Sequence, residues 1–282
     1  MMIQLIECPR DAMQGWPHPI ATDVKVAYLN QLLQVGFHTL DCGSFVSPKA
    51  IPQMADTPQV LAQLNMQHTN TNLLVIVANE RGALDACAFE HITYIGFPFS
   101  VSPTFQQRNT NSTIEESWER VQRIQALCTQ HGKTLVVYLS MAFGNPYGDA
   151  YDESVLQYWT AKMTAIGIHI ISLADTVGVA TPEQISTALQ ALIPAFPQAS
   201  IGVHLHSTAL HWERKLMAAY AAGCQRYDGA LKGIGGCPMA QNDLVGNMAT
   251  ENLLSFFKTH TSLTVNEDAL QIALGMAGRV FT

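Results

Sequence analysis

Charged side chains are scarce in this chain. Asp, Glu, Lys and Arg make up 13% of its 282 residues, about half the ~25% of an ordinary soluble domain. Bases are the scarcer sign, 15 against 22 acids, for a formal net charge of −7. Such a chain has no basic stripe for a phosphate backbone, which excludes bulk nucleic-acid binding. Long apolar runs are lacking as well. Residues 57–79 and 184–212 carry no Asp, Glu, Lys or Arg, but Gln, Asn, His, Thr and Pro interrupt both. A spanning helix needs roughly 20 mostly apolar residues, so no membrane partner is expected. The N-terminal Met-Met-Ile-Gln-Leu-Ile-Glu has no basic n-region before an apolar core, and it reads as a strand rather than a signal peptide. The six cysteines (Cys8, Cys42, Cys87, Cys128, Cys224, Cys237) are scattered without close pairing. That pattern suits a reduced, cytoplasmic protein. What is plentiful is apolar side chain, 48% of the chain, enough for a large core and too much for a disordered one.

Short β-rich runs alternate with helical patterns from end to end. Strands are expected over 3–8, 39–45, 73–78, 92–97, 134–140, 169–174, 200–206 and 226–232. Helices are expected over 23–35, from Thr113 to about 131, 152–166, from Thr181, 212–222, 250–258 and 266–280. Thr113-Ile-Glu-Glu116 is a capping box, and Thr181-Pro182 starts a helix with proline at its first position. Eight strand-then-helix units predict a parallel α/β sheet closed as a (β/α)8 TIM barrel. The expectation is one catalytic domain over 1–282, with an additional C-terminal helix at about 266–280. The competing open, doubly wound sheet calls for a glycine-rich phosphate turn after the first strand. Pro9-Arg10-Asp11 stands there instead.

In such a barrel, reactive groups lie at the C-terminal ends of strands. Here those ends carry Arg10 and Asp11, Asp41, Asp175, and the pair His204 and His206. Residues i and i+2 of a strand face one side, so both imidazoles can point into the barrel mouth. A lone His-X-His also fits hydrogen-bonded core histidines. Barrel closure sets strand one beside strand eight, so Asp11 and Asn247 can join the histidines. Two imidazoles, a carboxylate and an amide oxygen suit a divalent cation such as Mg²⁺, Mn²⁺, Co²⁺ or Zn²⁺. Arg10 reads either as half of a buried ion pair or as a cation aimed at developing negative charge. Cys237 sits in a glycine-rich loop, where a thiol can transfer a proton. Asp41 and Asp175 read as acid/base groups, as partners of the ligands, or as rim hydrogen-bond acceptors. Trp16 reads as a loop anchor.

These residues resemble the hydroxymethylglutaryl-CoA lyase family. The likeness runs through Pro9-Arg-Asp11 with Gln14, Ser44-Phe-Val-Ser-Pro-Lys49, Pro52-Gln-Met54, Ile114-Glu-Glu-Ser117, Ser172-Leu-Ala-Asp-Thr176, Val203-His-Leu-His206, Gly235-Gly-Cys-Pro238 and Gly246-Asn-Met-Ala-Thr-Glu251. The resemblance implies cleavage of 3-hydroxy-3-methylglutaryl-CoA to acetyl-CoA and acetoacetate. It implies Asp11, His204, His206 and Asn247 as ligands of a divalent metal, Mg²⁺ or Mn²⁺ first. It also implies Arg10 as the stabiliser of the enolate, Cys237 as acid/base, and Asp41 and Asp175 as catalytic-site acids. Gln14, Asn79, Arg108, Asn109 and Thr176 fall at expected substrate contacts. The implied partners are a small-molecule acyl-CoA and a second copy of the chain in a homo-oligomer, a dimer.

The chain departs from the family pattern at several points. Asp41 stands in place of Glu, Ser207 in place of Asp, and Lys232 in place of a small residue. Pro17 replaces a basic residue, and Gln107 and Arg108 replace two lysines. These changes leave open a lyase, aldolase or condensing enzyme for another 3-hydroxy acid. A condensing enzyme of this superfamily is expected to carry an extra C-terminal domain, which favours the lyase. A ligand-binding homologue without catalysis is the alternative of a different class.

Overall fold

A computed structural model describes residues 2–236 and 245–282. Eight strands, Gln4–Glu7, Thr39–Ser44, Asn72–Ile76, Ile92–Ser100, Thr134–Ser140, Ile170–Ala174, Ser200–His204 and Arg226–Gly229, form a closed barrel. Every neighbouring pair is parallel. The last strand closes on the first with Gln4 opposite Arg226 and Glu7 opposite Gly229. Eleven helices accompany these strands among the described residues. The fold is the expected TIM barrel.

Strand alternation divides the apolar residues in two. Leu73, Val75, Leu135, Val137 and Leu139 pack outward into the large core between strands and helices. Leu74, Val136 and Tyr138, with Ile76, Tyr94 and Ile170, form a small cluster inside the barrel. The same alternation sends Tyr227 outward and leaves Arg226 and Asp228 facing inward. Arg226 is fully buried, with its guanidinium carbon 5.7 Å from the centroid of the Tyr94 ring. Gly202 makes room for its stem, since a Cβ there would lie 2.9 Å from Arg226 Cβ and Cγ.

Both expected capping signals form. Thr113 and Glu116 cap Ile114–Gln130 reciprocally, and Thr181 and Gln184 do the same for Pro182–Ala195. Four short helices escaped the periodicity: Pro9–Gln14, Thr57–Leu61, Glu80–Cys87 and Pro103–Thr110. Each has at most eight residues, too few to show a repeating apolar stripe. The C-terminal helix Glu267–Val280 lies on the first long helix, Thr22–Leu33, where Gln31 Nε2 donates to the Ala269 carbonyl at 3.0 Å. Phe281 then meets Trp16 and Tyr28 edge-on, at 5.4 and 6.2 Å between ring centroids. Trp16 thus anchors its loop on the end of the chain. No helix among the described residues is long and apolar enough to cross a membrane. The five described cysteines are free and buried.

One residue ties the barrel wall to the segments around its mouth. Glu7 points outward from the first strand and is fully buried. Its carboxyl accepts the Leu231 N–H at 2.8 Å and the Thr250 hydroxyl. Burial pushes its pKa from an ordinary 4.5 up to about 8. A carboxyl raised in this way favours the folded state fully below its unfolded pKa. That contribution is lost as pH rises through the folded pKa. Glu7→Gln keeps the shape without the titration. Its unfolding free energy, measured by urea denaturation, should therefore fall less between pH 5 and 8 than that of the parent. Equal slopes would contradict a neutral, buried Glu7.

Candidate active site

The site begins at the C-terminal end of the first strand. Pro9 starts a six-residue helix, its fixed φ already suited to the first helical turn. The turn buries Arg10 and Asp11, each 8% exposed, at the barrel mouth. Arg10 Nε donates to Asp41 Oδ2 and Oδ1 at 3.0 and 3.2 Å, and a terminal nitrogen donates to Oδ2 at 2.5 Å. Its other terminal nitrogen donates to Asp11 Oδ1 at 3.0 Å. This pairing leaves an outer N–H on each terminal nitrogen for another acceptor. Burial opposes charge on Arg10, but Asp41 and Asp11 outweigh it and hold the guanidinium protonated. Burial raises Asp41 to about 6 against the pull of Arg10, so it remains ionised at neutral pH. Asp11, where Arg10 and then His204 outweigh burial, is held down at about 2.

The two histidines converge by a route the period-two argument did not foresee. The barrel strand stops at His204. His206 belongs to a separate two-residue strand, His206–Ser207, which pairs antiparallel with Gly246–Asn247 and sets His206 opposite Asn247. The imidazole centroids are 5.2 Å apart. One ligand atom each from Asp11, His204 and His206 can be chosen so that all lie within 4.8 Å of one another. His204 Nδ1 lies 3.1 Å from Asp228 Oδ2, which fixes the ring and leaves Nε2 for the site. Burial works against protonation of His204, but the bond and charge of Asp228 win and raise its pKa. Burial, then His204, push His206 down to about 4, so this imidazole is neutral at pH 7.

These groups fit a divalent metal. Among the described residues, neither ring nitrogen of buried His206 has a side-chain hydrogen-bond partner, the Thr176 main chain lying beside the ring, and Asn247 Oδ1 has no partner. The Asn247 amide is oriented through its other atom, since Nδ2 donates to Asp11 Oδ2 at 2.7 Å and to the Ile234 carbonyl at 2.9 Å. Unpaired acceptors on a buried imidazole and amide, beside a carboxylate, are what a cation satisfies. Gly235 lies tight over them at φ +93°, and a Cβ there would come within 2.9 Å of Asn247 Nδ2, Ala12 Cα and the Asp11 carbonyl. Cys8 with His204 and Asp228 is a second close group. It lies deeper, and burial holds the Cys8 thiol protonated, so it is a poor ligand set.

The other expected site residues are placed less uniformly. Asp175 is almost fully buried and hydrogen-bonded at both oxygens. Its Oδ1 accepts the Ala180 N–H at 2.9 Å and its Oδ2 accepts Lys215 Nζ at 2.7 Å. Gln14 Nε2 reaches Asp11 Oδ1 at 3.4 Å. The Thr176 hydroxyl accepts the Met141 N–H at 2.9 Å. Asn79 caps the helix Glu80–Cys87 by accepting the Gly82 N–H at 2.9 Å. Arg108 stacks on the Tyr147 ring at 4.7 Å, and Asn109 is exposed beside it. Cys237 lies outside the described residues. Sequence reasoning missed Asp228 and Lys215. Each is a charge at a position the pattern buries, Asp228 inside a strand and Lys215 on the buried face of Trp212–Ala221 with Leu216 and Ala219, and that position is the signal that marks them.

The HMGL-like family profile matches residues 3–273. A hydroxymethylglutaryl-CoA lyase of Bacillus subtilis is 34% identical over 250 residues, covering 87% of this chain and 81% of that protein. The cytoplasmic 3-hydroxy-3-methylglutaryl-CoA lyase of Rattus norvegicus is 32% identical, covering 89% of this chain and 73% of its own length. Among solved structures, a Bacillus subtilis HMG-CoA lyase superposes with a TM-score of 0.92 at 29% identity, covering 99% of this chain and 93% of that one. An Acinetobacter baumannii HMG-CoA lyase, solved with coenzyme A and 3-methylmalate, gives 0.90 at 29% identity, with 99% and 91% coverage. By this match, the chain belongs to the HMGL-like family and is a lyase of that superfamily.

Proposed function

We propose that this protein is a divalent-metal-dependent carbon–carbon lyase that cleaves 3-hydroxy-3-methylglutaryl-CoA to acetyl-CoA and acetoacetate. The observation that carries the reading is the convergence of Asp11, His204 and His206 beside Arg10, with an Asn247 oxygen and Arg10 donors that have no partner among the described residues. Asp11, His204, His206 and Asn247 would hold the metal, Mg²⁺ or Mn²⁺ in first place. Bound there, it would supply Lewis acidity that lowers the pKa of a substrate hydroxyl.

The chain's own groups account for the charge that cleavage develops. Transfer of the hydroxyl proton to a carboxylate, a role the family resemblance leaves to Asp175, lets the carbon–oxygen bond become a ketone as the adjacent carbon–carbon bond breaks. The released electron pair goes to the acetyl thioester as an enolate. Arg10, held protonated and in place by Asp41, faces that negative charge with the N–H groups its carboxylates leave free. The enolate carbon then takes a proton, a role the family resemblance gives to Cys237. Asp41 acts by orienting Arg10. Asp175 keeps acceptor capacity beyond its bonds to Ala180 and Lys215, so it holds structure and is still able to take a proton. A cytoplasmic setting belongs to the proposal, supported by the free buried cysteines and the cytoplasmic rat relative.

A second reading, a lyase for another 3-hydroxyacyl thioester, rests on a specific observation. Arg108, expected at the coenzyme, is stacked on Tyr147, and Asn79 is committed to its helix cap. A product screen across 3-hydroxyacyl thioesters separates the two.

The direct test measures acetoacetate and acetyl-CoA released from hydroxymethylglutaryl-CoA with Mg²⁺ or Mn²⁺. Turnover is expected. Its absence across several metals defeats the specific activity, and tight Mn²⁺ and acyl-CoA binding without product would then favour a non-catalytic homologue. Arg10→Gln should lower kcat at saturating Mn²⁺ by roughly 10²–10³-fold, the scale for losing a donor to developing charge, while Mn²⁺ affinity falls by no more than about 10- to 100-fold, the scale for losing the donor to Asp11. Near-normal kcat would remove Arg10 from the enolate role. Asp228→Asn should weaken Mn²⁺ binding about 10- to 100-fold, because the carboxylate that orients His204 is lost. Calorimetric titration of the metal-free protein reads this without turnover, and unchanged affinity would show that Asp228 does not set the ligand.

A further inference from the structure

The two histidines are oriented by different means. The His204 ring is held through its side chain by Asp228. Among the described residues, the His206 ring has no side-chain partner at either nitrogen. Its setting rests on main chain: the Thr176 backbone beside the ring and its own backbone, which Lys215 holds from behind. Lys215 rises from the helix Trp212–Ala221 and is only 6% exposed. Its Nζ donates to the His206 carbonyl at 2.7 Å, to Asp175 Oδ2 at 2.7 Å and to the Gly178 carbonyl at 3.3 Å. An ammonium has three N–H donors and no acceptor, so this set saturates it. The three acceptors come from the sixth strand end, the loop after it and the short strand that carries His206. That short strand pairs with Gly246–Asn247, so the anchor also bears on the second ligand of the ladder.

We infer that Lys215 is a positioning residue of the metal centre. It fixes the His206 main chain, and through the two-residue ladder Asn247, and it uses Asp175 as its counter-charge. The inference rests on the metal reading proposed above. It predicts that the lysine matters for metal affinity beyond its share of stability. A buried lysine that only balanced Asp175 would be dispensable once that carboxylate was also neutralised. One that anchors His206 would not be.

The test compares Mn²⁺ binding to metal-free wild-type, Lys215→Met and Lys215→Met/Asp175→Asn proteins by calorimetry and by the Mn²⁺ electron paramagnetic resonance signal. The single variant leaves Asp175 buried and unpaired, which destabilises the fold. The double variant removes both charges and is the decisive protein. The expected result is a thermal midpoint for the double variant closer to wild type than that of the single variant. Its Mn²⁺ affinity should remain about 10- to 100-fold weaker than wild type, the scale for losing a group that orients a ligand. Wild-type affinity in the double variant overturns the inference, because the lysine then serves only to balance Asp175. Failure of wild-type protein to bind Mn²⁺, Mg²⁺, Co²⁺ or Zn²⁺ overturns the metal reading itself, and that result is separate from any difference among the variants.

Discussion

The whole site depends on the parallel pairing that closes the barrel, Gln4–Glu7 against Arg226–Gly229. More than two hundred residues separate these strands in sequence, and no local signal brings Arg10 and Asp11 to His204, Asp228 and Asn247. Once the pairing forms, the first strand delivers Arg10 and Asp11 into the mouth within a single turn of helix. The same closure sets Glu7 against Leu231 and Thr250, which bracket the segment leading to Asn247. Closure and site assembly are one event because the strand that completes the wall also begins the site.

The scarcity of charge gives this assembly its electrostatic character. Arg10, Asp11, Asp41, Asp175, Lys215, Arg226 and Asp228 are all buried. A buried charge is costly unless paired. Pairing here is shared rather than one-to-one. Arg10 serves two carboxylates, and Asp228 serves His204 on the same barrel face as Arg226. Arg226 has an aromatic face at Tyr94 but no hydrogen-bond partner among the described residues. Removing one partner of a shared set leaves the others buried and unsatisfied. Loss of function in this site therefore has to be separated from loss of folding by charge-neutral double changes.

Most of the framework was legible because it is periodic. Eight β-rich runs located every barrel strand, with ends off by up to three residues, and the Thr113 and Thr181 caps marked two helix starts. The candidate ligands were legible because charge is rare in the strands, so Asp11, His204 and His206 stood out. What escaped was short or held by the main chain. Pro9–Gln14 is too brief for a stripe, so Asp11 was read as a strand end when it sits on a helix. The break after His204 is set by pairing with Gly246–Asn247, a contact between segments about forty residues apart. Asp228 and Lys215 were hidden because a charge inside an apolar pattern reads as an irregularity until its partner is known.

That division explains why the holders of a site are harder to read than the site itself. A ligand has a restricted chemistry, and its residue type is informative alone. A holder is defined by what it touches, and several residue types can donate to a carbonyl or accept from an imidazole. The Asp175–Lys215 pair shows the consequence. From sequence, an aspartate at a strand end beside a metal signature is an acid/base candidate. In the fold, each of its oxygens also accepts a hydrogen bond, one from Ala180 N–H and one from Lys215, so the same carboxylate carries a structural load that its residue type does not announce. A residue's type alone therefore does not separate holding from reacting, whereas a buried acceptor without a partner among the described residues, such as the Asn247 oxygen, marks where a cation fits.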